Sequence, residues 1–488
     1  MKKQFVIISI LFLVVSIQIL SCKKFLELDP PYAQDAENYF QNESDFQLAL
    51  IGAYDLLQSS FLSVWIGEIA SDNTIAGGES VTDTEGLHQI DDMNHGAVNI
   101  ELRNVFRWNY AGITRTNFIL ENKDNIDFPS KQDVLAQTRF LRAFYYFELV
   151  KFFGDVPMVL DERLGVDQVQ QLQRSPVSDV YAQIEQDLIF ASSILEPTST
   201  IKGKATKGAA LALLGKAYLY QQKWSDAVST FDQIINNGWY SLIPDYADLF
   251  TVANENHAET VFDVQYSGLE GGSYGCLVCL EGNAGPGFQG IRQYNGPVYG
   301  DGNSYNLPTQ DLYDFFPSND PRKGFTILDI DAFIAAQPNP QNITYAIGAG
   351  GHTGYYNNKY IKRQGEIGLP DNDLTSPVNY RVIRYADVLL MAAEAHFQNG
   401  NSSTAEQYLN LVRQRAGVGV LSGISLEDIY RERRLELSCE GHRFFDLVRT
   451  GQAANKIDDF VSGTHELFPI PQLEIDLAGG NWSQNPGY

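Results

Sequence analysis

Apolar residues between positions 206 and 238 recur at helical spacing in two consecutive segments. The first segment carries its apolar face at i, i+4, i+7 and i+8, on Ala210, Leu214, Ala217 and Tyr218. The second segment carries its face on Trp224, Ala227, Val228, Phe231, Ile234 and Ile235. Gln222 and Lys223 turn the chain between the two, and Asn237-Gly238 ends the second. The pattern predicts two helices that pack against each other.

Five residues of this helix pair keep the offsets of a tetratricopeptide repeat: Leu214, Gly215, Tyr218, Ala227 and Phe231. Gly215 and Ala227 are small because the two helix backbones are expected to approach closely there. Tyr218 and Phe231 are expected to fill the space beside them. The motif predicts an architecture and says little about chemistry.

Helical periodicity returns along much of the chain. Helices are predicted at 35–61, 101–122, 132–153, 178–195, 384–398, 404–415 and 426–450, and a polar loop at 71–99. Helical arrays grow by stacking repeats, so 488 residues need no second core. The predicted fold class is mainly α, a tetratricopeptide-like helical-repeat array (an α-α superhelix) with repeats at about 33–250 and 378–488.

The stretch between these two helical parts, about 251–377, has a different composition. Between Gly268 and Gly302 there are 11 glycines, interleaved with tyrosines. Glycine at this density argues against helix and regular sheet. The stretch is therefore predicted to be one large, irregular, loop-rich insertion within a single domain.

The N-terminus indicates export. Lys2 and Lys3 precede an apolar run from Phe5 to Leu20, and Ser21-Cys22 follows. This order is typical of a secretory signal, and the Leu-Ser-Cys ending resembles a bacterial lipobox. We therefore expect a lipoprotein signal peptide at 1–21, lipidation of Cys22, and a single mature domain at 22–488. No other segment is expected to span a bilayer, so the lipid is the expected membrane attachment.

The charge balance argues against polyanionic partners. With 60 acidic and 35 basic residues the formal net charge is −25. Such a chain repels nucleic acid and anionic lipid surfaces. We expect neither as a ligand.

Four short motifs invite a chemical interpretation, and none is expected to be catalytic. Residues 271–275 match G-x-S-x-G, but the glycine-rich sequence after the serine cannot continue as the required helix. Cys276 and Cys279 form a C-x-x-C without the further ligands that zinc needs, so a local disulfide or two packed thiols is expected. Residues 371–373 lack the glycine and glutamate of a calcium loop. The alternating charges at 431–436 are typical of structural ion pairs. No catalytic residue, metal or cofactor is predicted.

Aromatic residues in the loops are the remaining candidates for function. Flat rings match the C–H faces of sugars, and loops held by a rigid scaffold commonly carry binding residues. One candidate set follows the first helix and comprises Trp65, Asp72 and Asn73; the other lies in the insertion and comprises Tyr294, Tyr299 and Tyr305. For each ring the alternative is simple packing, and for Trp65 a place in the core.

Longer motifs throughout the mature chain resemble one family. They are SCKKFLELDPP at 21–31, FRWNYAGITRTNFILE at 106–121, TRFLRAFYYFELVKFFGDVPMV at 138–159, NDPRK at 319–323, YIKR at 360–363, VNYRVIRYADVLLMAAEAHFQNG at 378–400, IYRERRLELSCEGHRFFDLVRTG at 429–451, LFPIPQLEID at 467–476 and QNPGY at 484–488. In this order they resemble the SusD/RagB family of outer-membrane nutrient-binding lipoproteins.

The resemblance implies an array of tetratricopeptide-like helix pairs with an irregular insertion that helps form the ligand site. It implies a non-enzymatic lipoprotein of the outer membrane, facing the cell exterior, that binds an oligosaccharide or similar nutrient. Its partner would be a SusC-like TonB-dependent transporter, which receives the ligand. The shared motifs are mostly scaffold, so the resemblance assigns no ligand residues. A secreted polysaccharide hydrolase and a protein-binding repeat scaffold are the alternative functions.

Overall fold

A computed structural model describes residues 39–269, 281–366 and 374–488 of the chain. The predicted signal peptide, Cys22, the motifs at 271–279 and the acidic run at 371–373 lie outside the described residues. Their predicted roles stay predictions.

Helices dominate the described chain, as predicted. Those before the insertion are α1 (Glu43–Asp55), α2 (Phe61–Ile69), α3 (Glu85–Asp91), α4 (Ile100–Glu121), α5 (Lys131–Phe153), α6 (Val166–Val169), α7 (Val177–Ile194), α8 (Lys207–Tyr220) and α9 (Trp224–Asn237). The insertion contains α10 (Gly285–Phe288), α11 (Gln310–Phe315), α12 (Arg322–Thr326) and α13 (Ile330–Ala335). After it come α14 (Tyr385–Gln398), α15 (Ser402–Arg415), α16 (Leu426–Leu437), α17 (Arg443–Arg449), α18 (Ala453–Lys456) and α19 (Gln472–Leu477). Short 3-10 turns occur at Leu56–Ser60, Tyr246–Phe250, Val252–Asn254 and Pro340–Asn342.

The array forms because consecutive helices pack side by side: α4 on α5, α5 on α7, α7 on α8, α8 on α9, and α9 on α14, which packs on α15. The α8–α9 pair shows how the sequence specifies this. The Thr206 side chain accepts a hydrogen bond from Ala209 N and caps α8, and Gly238 ends α9 in the left-handed conformation. At the crossing, a β-carbon on Gly215 would lie 2.5 Å from Phe231 Cε1. The small residue is therefore required there, as predicted.

In the described parts of the chain, the strands form four two-stranded antiparallel sheets. Their members are β1 (Thr74–Ala76), β2 (Val156–Pro157), β3 (Arg174–Ser175), β4 (Thr260–Val264), β5 (Asn306–Pro308), β6 (Ile327–Asp329), β7 (Tyr355–Asn357) and β8 (Tyr380–Arg384). β4 pairs with β8, so the insertion leaves and rejoins the helical array through one sheet. β1 pairs with β5, β2 with β3, and β6 with β7.

Buried ion pairs fasten the insertion to the C-terminal helices. Arg322 is fully buried, and its guanidinium contacts Asp320 at 2.7 Å, Glu432 at 2.7 Å and Glu436 at 3.0 Å. Arg384 of β8 also contacts Glu436, at 3.0 Å. Charges removed from water need such paired geometry, and each carboxylate here has it. The structural interpretation of the charged run at 431–436 is confirmed.

Three local predictions were wrong. The stretch 71–99 contains β1 and α3, because β1 finds its strand partner far along the chain. The helix predicted at 426–450 stops at Leu437 and resumes at Arg443, since Cys439 and Gly441 have φ angles of +68° and +90°. The helical stretch predicted to end at Phe61 continues through α2 to Ile69, so Trp65 lies on a helix and not in a loop after it. The insertion is loop-rich, as predicted, and its short helices and strands pack around a small core of its own.

One described stretch, Glu43–Ile69, has the length and apolar composition of a membrane span, contrary to the expectation from sequence. Most of its apolar window is buried inside the fold, which is typical of a core helix. Composition and length alone are weak evidence for a span.

Candidate functional site

The β1–β5 sheet brings together the two loop regions that the sequence singled out. Thr74 lies opposite Pro308, and Ala76 lies opposite Asn306. Because the strands are antiparallel, Asp72 and Asn73 lie at one end of the sheet and Tyr305 lies at the other. Sequence reasoning identified both regions as loops but gave no signal that they pair.

Trp65 lies in the core, which is the alternative stated for it from the sequence. Only 4% of its surface is exposed. Its ring contacts Phe288, with centroids 5.2 Å apart, and stands edge-on behind Tyr305 at 6.3 Å. In this position the indole presents no free face to a ligand and supports the ring of Tyr305.

Asp72 and Asn73 are held by arginines of the C-terminal helices. Arg443 donates to Asp72 Oδ1 at 2.7 Å and to Oδ2 at 2.8 Å. Burial opposes ionisation of Asp72, but the hydrogen bonds and charge of Arg443 outweigh it and lower its pKa. Asn73 is fully buried; it donates to Glu68 at 2.9 Å and accepts from Arg434 at 2.9 Å. These groups are committed to the fold.

Tyr294 and Tyr299 pack in the small core of the insertion. Their exposed fractions are 6% and 7%, and their ring centroids lie 6.3 Å apart. Tyr294 donates to Pro297 O at 2.8 Å, and Tyr299 donates to Asn358 Oδ1 at 3.3 Å. They shape the loops in which they lie.

Tyr305 is the half-buried aromatic residue of the predicted set. Its ring packs on Phe288 and lies over Gly78, where a β-carbon would come within 3.2 Å of it. Burial raises the pKa of its hydroxyl to about 12, helped by the nearby Asp83 carboxylate. The phenol is therefore neutral at pH 7, and part of the ring reaches solvent.

Three loops meet around Tyr305, and we call residues 77–84, 290–305 and 344–352 the loop cluster. Gly77 N donates to Tyr305 O at 3.3 Å, and Ala346 N donates to Arg292 O at 2.9 Å. Close backbone packing holds the third loop, since a β-carbon on Gly348 would lie 1.9 Å from Gly78 O. Gly348, Gly350 and Gly351 are the sequence signal for this loop, which the predicted ligand residues do not include.

Polar side chains lie in this loop cluster, and Arg292 and Asp83 are near the Tyr305 hydroxyl. Arg292 contacts Glu79 at 2.9 Å and lies 4.0 Å from Asp83. Tyr345 donates to Asp331 at 3.0 Å. Burial lowers the pKa of His352, whose ring lies 5.9 Å from that of Tyr345, so it is neutral at pH 7. Charged and neutral hydrogen-bonding groups beside a partly exposed ring suit recognition of a polyhydroxylated ligand.

Of the six predicted ligand residues, Tyr305 and Asp72 are half-buried, Asp72 being held by Arg443, and the other four are buried. Direct contact between a ligand and any of the six stays a prediction. Within the described residues, no group of three or more His, Cys, Asp or Glu side chains is arranged to hold a metal ion.

Comparisons with known proteins cover nearly the whole mature chain. Residues 24–219 match the family described as "Starch-binding associating with outer membrane", and residues 219–488 match the family described as "SusD family". The SusD-like protein P25 of Formosa agariphila is 26% identical over 94% of both chains. The starch-binding protein SusD of Bacteroides thetaiotaomicron is 25% identical over 77% of this chain and 76% of its own.

Solved structures agree. A laminarin-binding SusD-like protein is 33% identical, with a TM-score of 0.85 over 92% of this chain and 100% of its own. The surface glycan-binding protein A of Bacteroides thetaiotaomicron, solved with laminarihexaose, is 27% identical, with a TM-score of 0.83 over 91% and 99%. On the agreement of sequence and fold, this chain belongs to the SusD family.

Proposed function

We propose that the protein is a non-catalytic, surface-exposed lipoprotein that binds an oligosaccharide at the loop cluster and delivers it to a TonB-dependent outer-membrane transporter. The observation that carries this proposal is the position of Tyr305. Its partly exposed ring is backed by Trp65 and Phe288 and bordered by Arg292 and Asp83.

The Tyr305 ring and the polar groups beside it have different roles in the proposed binding. A sugar ring stacks its C–H face on an aromatic ring, while its hydroxyls hydrogen-bond to groups at the edge. A rigid ring loses little conformational entropy on binding, and Trp65 and Phe288 keep Tyr305 rigid. The other predicted residues act indirectly: Asp72 and Asn73 anchor β1, and Tyr294 and Tyr299 hold the loop of 290–305.

The relatives support a β-glucan or starch-like ligand. One is named for binding laminarin, one was solved with laminarihexaose, and one is named for binding starch. Calorimetric titration of the soluble domain with laminarihexaose and with maltohexaose tests this choice. We expect saturable binding of one of them without release of reducing ends. Release of reducing ends would overturn the non-catalytic assignment.

The site predicted to be lipidated, Cys22, supplies the proposed attachment to the outer membrane, with the domain facing the exterior. Two acyl chains hold a protein at a membrane, whereas one binds weakly. The transporter partner is proposed from the family resemblance. Co-purification with a SusC-like transporter from detergent-solubilised outer membranes tests it, and recovery of the chain without that transporter would count against delivery.

A further inference from the structure

A second polar cavity lies on the helical side of the molecule, away from the loop cluster. It has a volume of about 220 Å³ and lies between the segment 198–206, the turn after α9 and strand β4. A larger cavity of about 530 Å³ adjoins it across residues 201–204. Asp263 lines both cavities.

Asp263 is an unusual residue to find there. Its exposed fraction is 2%, and neither carboxylate oxygen makes a well-aligned hydrogen bond, although the Thr260 hydroxyl lies beside the carboxyl. A buried carboxyl without a well-aligned partner is costly, so such a group commonly marks a site that something else completes. Burial raises its pKa to about 7, which leaves it able to accept or donate a hydrogen bond near neutral pH.

The cross-strand neighbour of Asp263 does not complete it. Arg381 lies opposite in the β4–β8 register, but its guanidinium donates to Leu249 O at 3.2 Å and contacts Glu255 at 3.3 Å. No ion pair joins Arg381 to Asp263 among the described residues, although Arg381 Nη2 is also without a partner. An internal pair between them is therefore the alternative that an experiment must exclude.

The other walls of the smaller cavity supply complementary groups. Trp239 is half-buried in its lining, and its indole makes no ring-to-ring contact with another described residue. The Thr260 hydroxyl lines the same space beside the Asp263 carboxyl, so a ligand would compete with a hydrogen bond between these two groups. Lys202 is exposed at the rim and forms no ion pair within the described chain. Lys204, in contrast, is neutralised by Asp133 at 2.9 Å.

We propose that this cavity is a second binding site, which takes one neutral sugar unit with its face on Trp239 and its hydroxyls on Asp263 and Thr260. One aromatic face with a few convergent polar groups is the usual composition of such a site. Asp263 is partly protonated at neutral pH and Lys202 lies exposed at the rim, so the interior of the cavity presents no full charge and favours a neutral ligand. The ligand class rests on the proposed function, whereas the position of the site does not.

The five tryptophans allow both sites to be observed in one experiment. Full-length mature domain is labelled with 5-fluorotryptophan, each ¹⁹F resonance is assigned with a Trp→Phe variant, and laminarihexaose and maltohexaose are each titrated in. Trp65 reports on the loop cluster because it contacts Tyr305. Trp239 reports on the second cavity. We expect both resonances to shift, with separate affinities.

Variants then test the assigned residues. Asp263→Asn keeps the shape but removes the carboxylate, and we expect about a tenfold weaker response at Trp239 and none at Trp65. Thr260→Val provides a second test if Asp263→Asn does not fold. Asp248→Asn is the matched control, since Asp248 is exposed and does not line the cavity. Its titration should equal that of the parent.

The outcomes are distinguishable. A shift at Trp65 alone overturns the second site and leaves the proposed function intact. A shift at Trp239 alone supports the second site and overturns the loop-cluster assignment. If neither resonance shifts with either sugar, both the loop-cluster site and the second site are overturned. If Asp263→Asn lowers thermal stability and leaves the Trp239 response unchanged, Asp263 pairs with Arg381 in solution and its binding role is overturned.

Discussion

Trp65 stands edge-on to Tyr305, with ring centroids 6.3 Å apart and ring planes at 80°. One ring is buried and the other is half-buried, so the pair joins the core of the helical array to the surface of the loop cluster. Truncating the buried ring should mainly lower stability, whereas truncating the half-buried ring should mainly lower ligand affinity. The two effects therefore distinguish a residue that supports the site from one that contacts the ligand.

We expect Trp65→Ala to lower the free energy of unfolding by about 3–5 kcal/mol, because it removes a buried ring and leaves a cavity. Loss of support should also loosen Tyr305 and weaken binding in the folded fraction. Chemical denaturation followed by calorimetry measures both effects. A variant of parental stability that binds no ligand would instead place Trp65 in direct contact with the sugar.

The crossing of α8 and α9 gives a prediction about packing. Gly215→Ala places a β-carbon 2.5 Å from Phe231 Cε1, so we expect destabilisation of about 1–3 kcal/mol by overpacking. Gly52→Ala in α1 is the matched control, since nothing lies within 4 Å of that β-carbon. It should stabilise by about 0.5–1 kcal/mol through helix propensity. Equal effects of the two changes would contradict the close approach.

The α8–α9 pair and the β1–β5 sheet illustrate which parts of the fold the sequence can predict. The α8–α9 pair is specified locally: its apolar spacing, its cap at Thr206 and its terminal Gly238 all lie within one stretch of chain. The β1–β5 pairing is not, because β1 is three residues long and its hydrogen-bond partners in β5 lie far along the chain. A short polar segment with a distant partner looks like a loop in sequence.

The candidate site shows the same limit. Trp65 and Tyr305 are both aromatic residues beside polar loops, and sequence cannot tell which ring faces solvent. Their difference arises from tertiary packing by Phe288 and Gly78. The buried Asp263 carried no signal at all, since an aspartate in a strand is unremarkable until its burial is seen.

Asp91 predicts a pH dependence of stability. Its carboxylate accepts from Ala76 N at 2.9 Å, and burial raises its pKa from 3.8 to about 7. Because the folded state holds the proton more tightly, the contribution of Asp91 to stability is fully present below pH 3.8 and is lost as pH rises through 7. We expect Asp91→Asn to flatten this part of the profile, measured by thermal unfolding between pH 4 and 8.

Asp92→Asn is the comparison for this measurement, because Asp92 is exposed and its charge makes a smaller contribution than burial to the raised pKa of Asp91. It should retain most of the slope of the parent. If Asp91→Asn and the parent have the same slope, Asp91 titrates normally and the burial argument is wrong.

Cys22 predicts where the protein resides. We expect Cys22→Ala to release a folded, soluble protein, because the lipid is the proposed membrane attachment. Fractionation of cells that lack the transporter measures this, and circular dichroism of the released protein checks its fold. Retention of the variant in the membrane fraction of those cells would point to another attachment, such as the apolar stretch Glu43–Ile69.

Tyr305 carries the last prediction. A stacking ring at the centre of a binding site supplies much of the affinity, so Tyr305→Ala should cost about 2 kcal/mol or more of binding free energy. Its effect on stability should be smaller than that of Trp65→Ala, since part of the ring is already in solvent. Calorimetry with laminarihexaose and maltohexaose, beside thermal unfolding, measures both quantities.

Two further variants are compared with Tyr305→Ala. Tyr218→Ala removes a half-buried tyrosine of the helical array and should leave binding unchanged. The double variant Tyr294→Ala/Tyr299→Ala removes buried rings, so we expect lower stability and a weaker, indirect loss of affinity in the folded fraction. If Tyr305→Ala binds the ligand as tightly as the parent does while the double variant binds none, the ligand lies against the small core of the insertion. The loop-cluster ring would then be a structural neighbour of the site.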